Sequence, residues 1–433
     1  MHVYKEPRFR KPRGAVPFLP ALGVSRRLSV GLVLLAVAAL ADAQTAPLPG
    51  SPPPPALSAR SAIVIDVETG SSIYEKSADL VIPPASLTKM VAIHVAYELA
   101  ARGELSLSET VDLPPEVWAR NMPPGSSLMF LGPDQSPTVL DILKGLSVSS
   151  GNDAAMALAV HVAGSVPAFA EIMNRTVREM GFEQMFFVEP SGLSEQNRIT
   201  AREFASFSVA HLRRFPSVIE DLYALESYSY PREEHLPPGS PQQPITQQNR
   251  NLLLEEYAPV DGLKTGYIEE SDFNIALTGE SEGMRLVAVV LGVPAETTVE
   301  GTRRRADEGR ALLEYGFENF TTFRFDAPNF EPIPAYRADR RTVIPIARRI
   351  PALTVSRSLL ADIDGEVALV PYVVAPLESG FPLGEVILRA RGEVLARVPV
   401  VSPGRLERGP WYRVALDSLR LIFRPRLEDF GAE

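Results

Sequence analysis

The 433-residue chain has no cysteine, which excludes disulfides, thiolate nucleophiles and cysteine-held zinc. Histidine is scarce. The five present (His2, His94, His161, His211 and His235) form no H-E-x-x-H pair. His94 and His161 fall within apolar helical patterns, where a histidine satisfied in the core is the ordinary outcome. A metal site and a Ser-His-Asp triad are therefore both poorly supported, and no G-x-S-x-G nucleophile elbow occurs. A membrane-spanning run is missing too. The apolar stretch "LSVGLVLLAVAAL" is too short to span. It follows a basic lead (Lys5, Arg8, Arg10, Lys11, Arg13, Arg26, Arg27) and precedes Ala41-Asp42-Ala43. That is the layout of a secretory signal, residues 1–43, cut before Gln44. An uncleaved anchor is the weaker alternative, and the long lead leaves room for a translation start beyond Met1. Basic charge is also in deficit. The whole chain carries −10, and without residues 1–43 it has 36 basic and 51 acidic residues, net −15. Such a chain is a poor partner for nucleic acid.

What is present is an ordinary globular composition, 45% hydrophobic and 22% charged, in a chain long enough for two or more domains. Residues 44–60 form a Pro-rich tether. "SAIVIDVETGSSIYEK" reads as a hairpin turning at Thr69-Gly70. Helical patterns follow at Leu87–Ala101, Thr138–Leu146, Asp153–Val162, Val166–Met180 and Ala201–Arg214. Strands return in "DGLKTGYI", "FNIALTGE" and "MRLVAVVLGV", and "RRRADEGRALLEYGF" supplies a further helix. Strands at both ends of a helical middle predict one sheet assembled from the two ends of a domain, residues 61–322. Near Thr322 prolines become frequent and alternation replaces helical periodicity. Residues 323–404 then read as a small all-β domain, with a hairpin turning at Arg391-Gly392.

Three short motifs carry chemistry. In "PPASLTKM", Ser86 and Lys89 share a face at the start of a helix. "SGNDAA" places Ser150 and Asn152 in a turn before another helix, and "DGLKTGY" places Lys264, Thr265 and Gly266 on a strand. With average composition, S-x-x-K and S-x-N are each expected about once by chance in a chain of this length, and K-T-G only about one time in ten. Together, on a helix start, an inter-helix turn and a strand, they form a strong signal.

With these motifs the chain resembles the penicillin-binding proteins and class A β-lactamases. More narrowly it is similar to the D-alanyl-D-alanine carboxypeptidases, the low-molecular-mass penicillin-binding proteins, from about Ser61 to Val401. "EPSGLSEQNRITARE", "QNRNLLL" and the β-domain phrase "PLGEVILRARGEVLARVPVV" extend the likeness. The resemblance implies an α/β (α+β) β-lactamase-like transpeptidase domain followed by a small β-sandwich. It implies an acyl-enzyme on Ser86, penicillin inhibition, no metal and no organic cofactor. Chemistry agrees with it. A serine hydroxyl needs an adjacent base, and a buried Lys89 facing Lys264 would lose its proton readily. By family analogy the amides of Ser86 and Tyr267 form the oxyanion hole. Ser150 would relay a proton to the leaving amine, and Asn152 would bind the substrate amide. Lys264 and Thr265 would hold the substrate's terminal carboxylate, and Gly266 would let its backbone lie along the strand. Arg305 is a further candidate for the carboxylate, equally readable as a surface charge, and Arg250 is a weaker one.

The chain departs from the family after K-T-G, where "YIEESDFN" stands in place of His-Thr and a glycine turn. Glu269, Glu270 and Asp272 would make the rim acidic. The expected partners are the peptidoglycan stem pentapeptide ending in D-Ala-D-Ala and β-lactams as inhibitors. A DD-endopeptidase acting on cross-links stays open, as do a β-lactamase, for which Glu189 is the nearest deacylating carboxylate, and a non-catalytic wall binder. Residues 405–433 end the chain in an amphipathic helix, Pro410 to Arg424, with Pro410 at its first position. Its apolar arc (Trp411, Ala415, Leu419, Ile422) and clustered arginines predict a membrane-surface anchor on the outer face of the cytoplasmic membrane. The arginines argue against docking on the β-domain.

Overall fold

The structure is a computed structural model that describes residues 8–10 and 50–423. The predicted signal therefore lies outside the described residues apart from the strand Arg8–Arg10. The described chain from residue 50 on falls into two compact units, divided between Thr321 and Thr322.

In the first unit the hairpin forms as its pattern requires, β1 (Ser61–Asp66) and β2 (Ser72–Lys76), with Gly70 at positive φ in the turn. A helical middle follows: α1 (Thr88–Ala101), α2 (Val139–Lys144), α3 (Asn152–Ala163), α4 (Val166–Glu179) and α5 (Ala201–Arg214). A short hairpin, β3 (Ser227–Tyr230) and β4 (Ile245–Gln248), interrupts it. Three long strands come next, β5 (Val260–Ile268), β6 (Asp272–Ser281) and β7 (Met284–Val293), then α6 (Thr298–Asn319). The sheet order is β2-β1-β7-β6-β5, antiparallel throughout. Both ends of the domain thus build one sheet, as expected.

Period-two alternation sends the sheet's two faces into different cores. Ile63, Ile65, Val287 and Val289 join the core of α1 to α5, whereas Ala62, Val64, Leu286 and Ala288 pack with Leu312 and Leu313 of α6. Helix α1 is buried nearly all round, so it is an interior helix rather than an amphipathic one. Its N-terminus is thereby fixed against the edge strand β5.

The second unit is sheet-rich. Strands β8 (Ile333–Tyr336) and β9 (Thr342–Val343) pair, with Val373–Val374 on the other side of β8. A larger sheet contains β10 (Ile363–Leu369), β11 (Pro382–Ala390) and β12 (Glu393–Val401), with the turn at Arg391-Gly392. The final helix, α7 (Trp411–Ile422), takes Pro410 as its cap rather than its first residue, because Pro410 is extended (ψ 154°). A larger correction concerns its packing. The helix is docked on the β-domain, and its charged sector makes the contact. Asp417 is 5% exposed and accepts from the Arg337 N–H at 2.8 Å. Arg413 donates to the carbonyls of Ala338 (3.1 Å) and Asp339 (2.9 Å). Charges that seemed to forbid docking are its means, because the loop after β8 offers backbone groups that need ionic partners. The apolar side is left in water: Trp411 is 82%, Leu419 61% and Ile422 72% exposed.

Candidate active site

Ser86 sits in a single 3₁₀ turn, Ala85–Leu87, that leads into α1. Ala85 has φ +50°, an unfavourable conformation for a side chain. Two glycines hold this turn from opposite sides. A Cβ on Gly266 of β5 would lie 2.9 Å from the Pro84 carbonyl oxygen and 3.0 Å from the Ser86 nitrogen. A Cβ on Gly192 (φ +83°) would overlap the Ala85 carbonyl oxygen at 1.9 Å. Only glycine permits either approach. From β6, Asn274 donates to the Pro83 carbonyl at 3.2 Å and steadies the same turn.

Lys89, one turn into α1, is completely buried. Its Nζ lies 3.0 Å from Ser86 Oγ, 2.8 Å from Asn152 Oδ1 and 2.6 Å from the Ser191 carbonyl oxygen. Burial pulls its pKa down to about 7, against the opposing pull of the Glu189 and Asp153 carboxylates; the charge of Arg250 adds to the decrease. The geometry suits the neutral amine. Asn152 Oδ1 and the Ser191 carbonyl can only accept, so they use both N–H bonds and leave the lone pair toward the Ser86 hydroxyl.

The remaining expected residues are distributed around this pair. Ser150 is buried in the left-handed region (φ 58°, ψ 34°), between the π-turn Gly145–Ser149 and α3. Asn152 opens α3 and reaches Lys89, and its own N–H donates to the Ser127 carbonyl at 2.8 Å. Lys264 and Thr265, on β5, are 2% and 4% exposed. Burial first, then the charges of Lys89, Arg250 and Arg305, hold the Lys264 pKa well below its ordinary value. Tyr267 is exposed and stacks on Phe273 with centroids 4.3 Å apart. Arg305 is not a surface charge. It is buried on α6, donates to the Gly266 carbonyl at 2.9 Å, and burial lowers its pKa to about 10. Arg250 is an exposed residue just after β4. Glu269 and Glu270 stand exposed beyond β5, and Asp272, at positive φ, opens β6.

Two carboxylates organise the walls: Asp153, to which sequence reasoning assigned no role, and Glu189, which it offered only as a deacylating acid. Asp153, fully buried, accepts from the N–H groups of Met129 (2.8 Å), Leu131 (2.9 Å) and Ala154 (2.9 Å), and so clamps the segment facing the Ser150 turn. Glu189 accepts from Ser191 N–H (2.6 Å), Ser191 Oγ–H (2.5 Å), Gly192 N–H (2.8 Å) and Asn197 Nδ2 (3.0 Å). That fold of the "EPSGL" loop aims the Ser191 carbonyl at Lys89. Its carboxylate is consumed within its own loop. The available signal was an acid two residues before a serine and three before a glycine, a local turn pattern. Among the described residues no group of His, Asp and Glu could hold a metal ion.

Residues 49–295 match the family model described as D-alanyl-D-alanine carboxypeptidase. The D-alanyl-D-alanine carboxypeptidase DacC of Escherichia coli is 30% identical over 402 residues, 91% of this chain and 94% of that protein. The D-alanyl-D-alanine carboxypeptidase DacA of Haemophilus influenzae is 31% identical over 349 residues, 79% of this chain and 84% of that protein. Among solved structures, penicillin binding protein 5 from Haemophilus influenzae is similar with a TM-score of 0.71 at 29% identity, covering 83% of this chain and 100% of that one.

Proposed function

We propose how a chain that belongs to the D-alanyl-D-alanine carboxypeptidase family, and works as a serine DD-carboxypeptidase, carries out its reaction. Ser86 is the nucleophile and Lys89 the base. As Ser86 Oγ attacks the carbonyl of the penultimate D-alanine of a peptidoglycan pentapeptide, its proton moves to Lys89 Nζ. The amides of Ser86 and Tyr267 receive the oxyanion. Collapse of the tetrahedral intermediate breaks the amide, and the Ser150 hydroxyl hands its proton to the departing D-alanine nitrogen while taking up the one held on Lys89, which returns Lys89 to its neutral form. Neutral Lys89 then takes a proton from a water that attacks the ester carbonyl, and gives it to Ser86 Oγ as the ester bond breaks and the shortened peptide leaves as its carboxylic acid.

The observation that carries this reading is the Lys89 environment: 3.0 Å from Ser86 Oγ, buried, with a pKa near 7. A general base works best with its pKa near the working pH. Lys264, Arg250 and Arg305 add a concentration of positive charge that suits the substrate's terminal carboxylate. In a β-lactam the cleaved amide is part of the ring, so the leaving group stays tethered and the acyl-enzyme persists. Glu189, turned into its own loop, gives no support to a β-lactamase-like deacylation route.

We place the enzyme outside the cytoplasm, held on the membrane surface by α7. The signal-like N-terminus and the outward apolar side of the helix support this. Among the described residues no single helix is long and apolar enough to cross a membrane. Mass spectrometry of a stem pentapeptide digested with residues 44–433 tests the activity. Loss of one alanine is expected, whereas cleavage of a cross-linked dimer with the pentapeptide left intact would make the enzyme an endopeptidase.

A further inference from the structure

Helix α7 does not lie flush on the β-domain. Between it and β8 is a cavity of about 400 Å³, within the range of small-ligand sites. Arg341, Arg413, Arg420, Tyr336, Tyr412 and Asp417 line it. Three arginines and one aspartate thus line it, and Asp417 is already engaged by the Arg337 N–H at 2.8 Å and by Arg420 at 3.5 Å. The surplus is positive in a chain of net −10. Arg413 is held in place by the Ala338 and Asp339 carbonyls. Guanidinium groups match phosphate oxygens in geometry as well as charge.

The cavity also opens onto the apolar side of the helix. Tyr412 and Leu416 line it and are themselves 62% and 51% exposed, continuous with the outward Leu419. A ligand seated here would place an anionic end among the arginines and an apolar end along α7. We propose that this cavity binds the phosphate headgroup of an anionic phospholipid, whose acyl chains leave along Tyr412 and Leu416. The proposal rests on the membrane-surface reading of α7 and adds a specific lipid to it.

Short-chain lipid monomers separate a pocket from general attraction to a charged bilayer. In calorimetry with the full chain, dihexanoyl phosphatidylglycerol below its micellar concentration binds saturably, and dihexanoyl phosphatidylcholine binds at least about tenfold more weakly. The double variant Arg341→Gln, Arg420→Gln loses that preference. A charge-matched control outside the cavity, Arg405→Gln with Arg408→Gln, keeps it. Circular dichroism and the urea midpoint of each variant verify its fold. The pocket is overturned if phosphatidylglycerol does not saturate, if both double variants behave alike, or if inorganic phosphate alone binds as tightly as the lipid. Sedimentation with vesicles tests the anchor separately, using Leu419→Asp with Ile422→Asp as the variant that should stay in solution. A chain that sediments but takes up no monomer keeps the anchor and loses the pocket. One that takes up monomer without sedimenting keeps the pocket and loses the anchor.

Discussion

The catalytic cleft and helix α7 keep side chains in opposite kinds of unfavourable surroundings. At the cleft, Lys89 and Lys264 are held out of water. On α7, Trp411, Leu419 and Ile422 are held in it. Neither arrangement stabilises the isolated protein. Burying a cation costs several kcal/mol unless it is paired or loses its proton, and exposed apolar side chains forgo roughly 1.5–3 kcal/mol each. What differs is the remedy. At the cleft the missing partner is an anion and a proton transfer, so the lysines are ready for chemistry. On the helix the missing partner is an apolar phase, which the proposed seat on a membrane surface would supply. Each misplaced set marks a ligand of opposite polarity.

The largest expected effect breaks the first half of this comparison. Lys89→Arg keeps the charge but cannot lose a proton at any working pH. Acylation by penicillin should fall on the order of 10²–10⁴-fold, the usual worth of a positioned general base, and a near wild-type rate would place the base elsewhere. In the wild type the same logic sets the pH dependence. Lys89 acts when neutral, so the acylation rate should fall as pH drops through about 7.

Deleting residues 406–433 addresses the other half. Burial of three large apolar side chains at roughly 1.5–3 kcal/mol each outweighs the ordering cost, so the loss in partition onto anionic vesicles should be on the order of 10³-fold or more. The truncated enzyme should remain active. Continued sedimentation of the truncated chain would show that α7 is not the anchor.

A third test contrasts the buried lysines of the cleft with a buried histidine pair in the helical core. His94 Nδ1 and His211 Nδ1 are 3.0 Å apart in the core, and His211 Nε2 is 2.9 Å from the Tyr223 hydroxyl. Burial lowers the pKa of His94 to about 4 and holds that of His211 well below its usual range. In the unfolded chain both titrate near 6.5. Their contribution is therefore fully present above pH ~6.5 and is lost as pH falls toward about 4, by about 3 kcal/mol for His94 alone. Urea midpoints across that window measure it. A flat profile would mean that the pair is solvated or protonated in the fold.

The smallest effect sharpens the account of Lys89 itself. Glu189→Gln removes a charge that raises the Lys89 pKa, so the midpoint of the acylation profile should move to lower pH. It also weakens the clamp on Ser191 and Gly192, costing about 1–3 kcal/mol of stability. Loss of stability with an unmoved pH midpoint would reduce Glu189 to a loop-folding residue.

Much of this was legible in the sequence, for definite reasons. Ser86, Lys89, Ser150, Asn152 and Lys264 stand in short motifs because the chemistry needs particular groups at fixed local offsets. The sheet and its helices were legible because β1 and β7 are short, nearly continuous apolar runs bounded by turn residues, and because helical periodicity is strong in α5. The β3-β4 hairpin was not, since "ESYSYPREEHLPPGSPQQPITQQ" is polar and proline-rich without a clean period. Asp153, and the loop-folding role of Glu189, escaped because their partners, the amides of Met129, Leu131 and Ser191, are defined only once loops close. Arg305 was ambiguous because burial of a helix face against β6 is a tertiary fact. For α7 the pattern located both faces of the helix, but amphipathicity alone cannot say which face turns inward. The loop at Arg337 to Asp339 decided that.

The most direct test of the central claim is a peptide map of the purified chain after brief reaction with benzylpenicillin at neutral pH. Trypsin should release the segment Ser77–Lys89 carrying one intact penicillin, with fragmentation placing the adduct on Ser86. The Ser86→Ala protein should show the unmodified segment and no adduct elsewhere. An adduct on any other residue, or stoichiometric labelling that survives Ser86→Ala in a folded protein, would contradict the account.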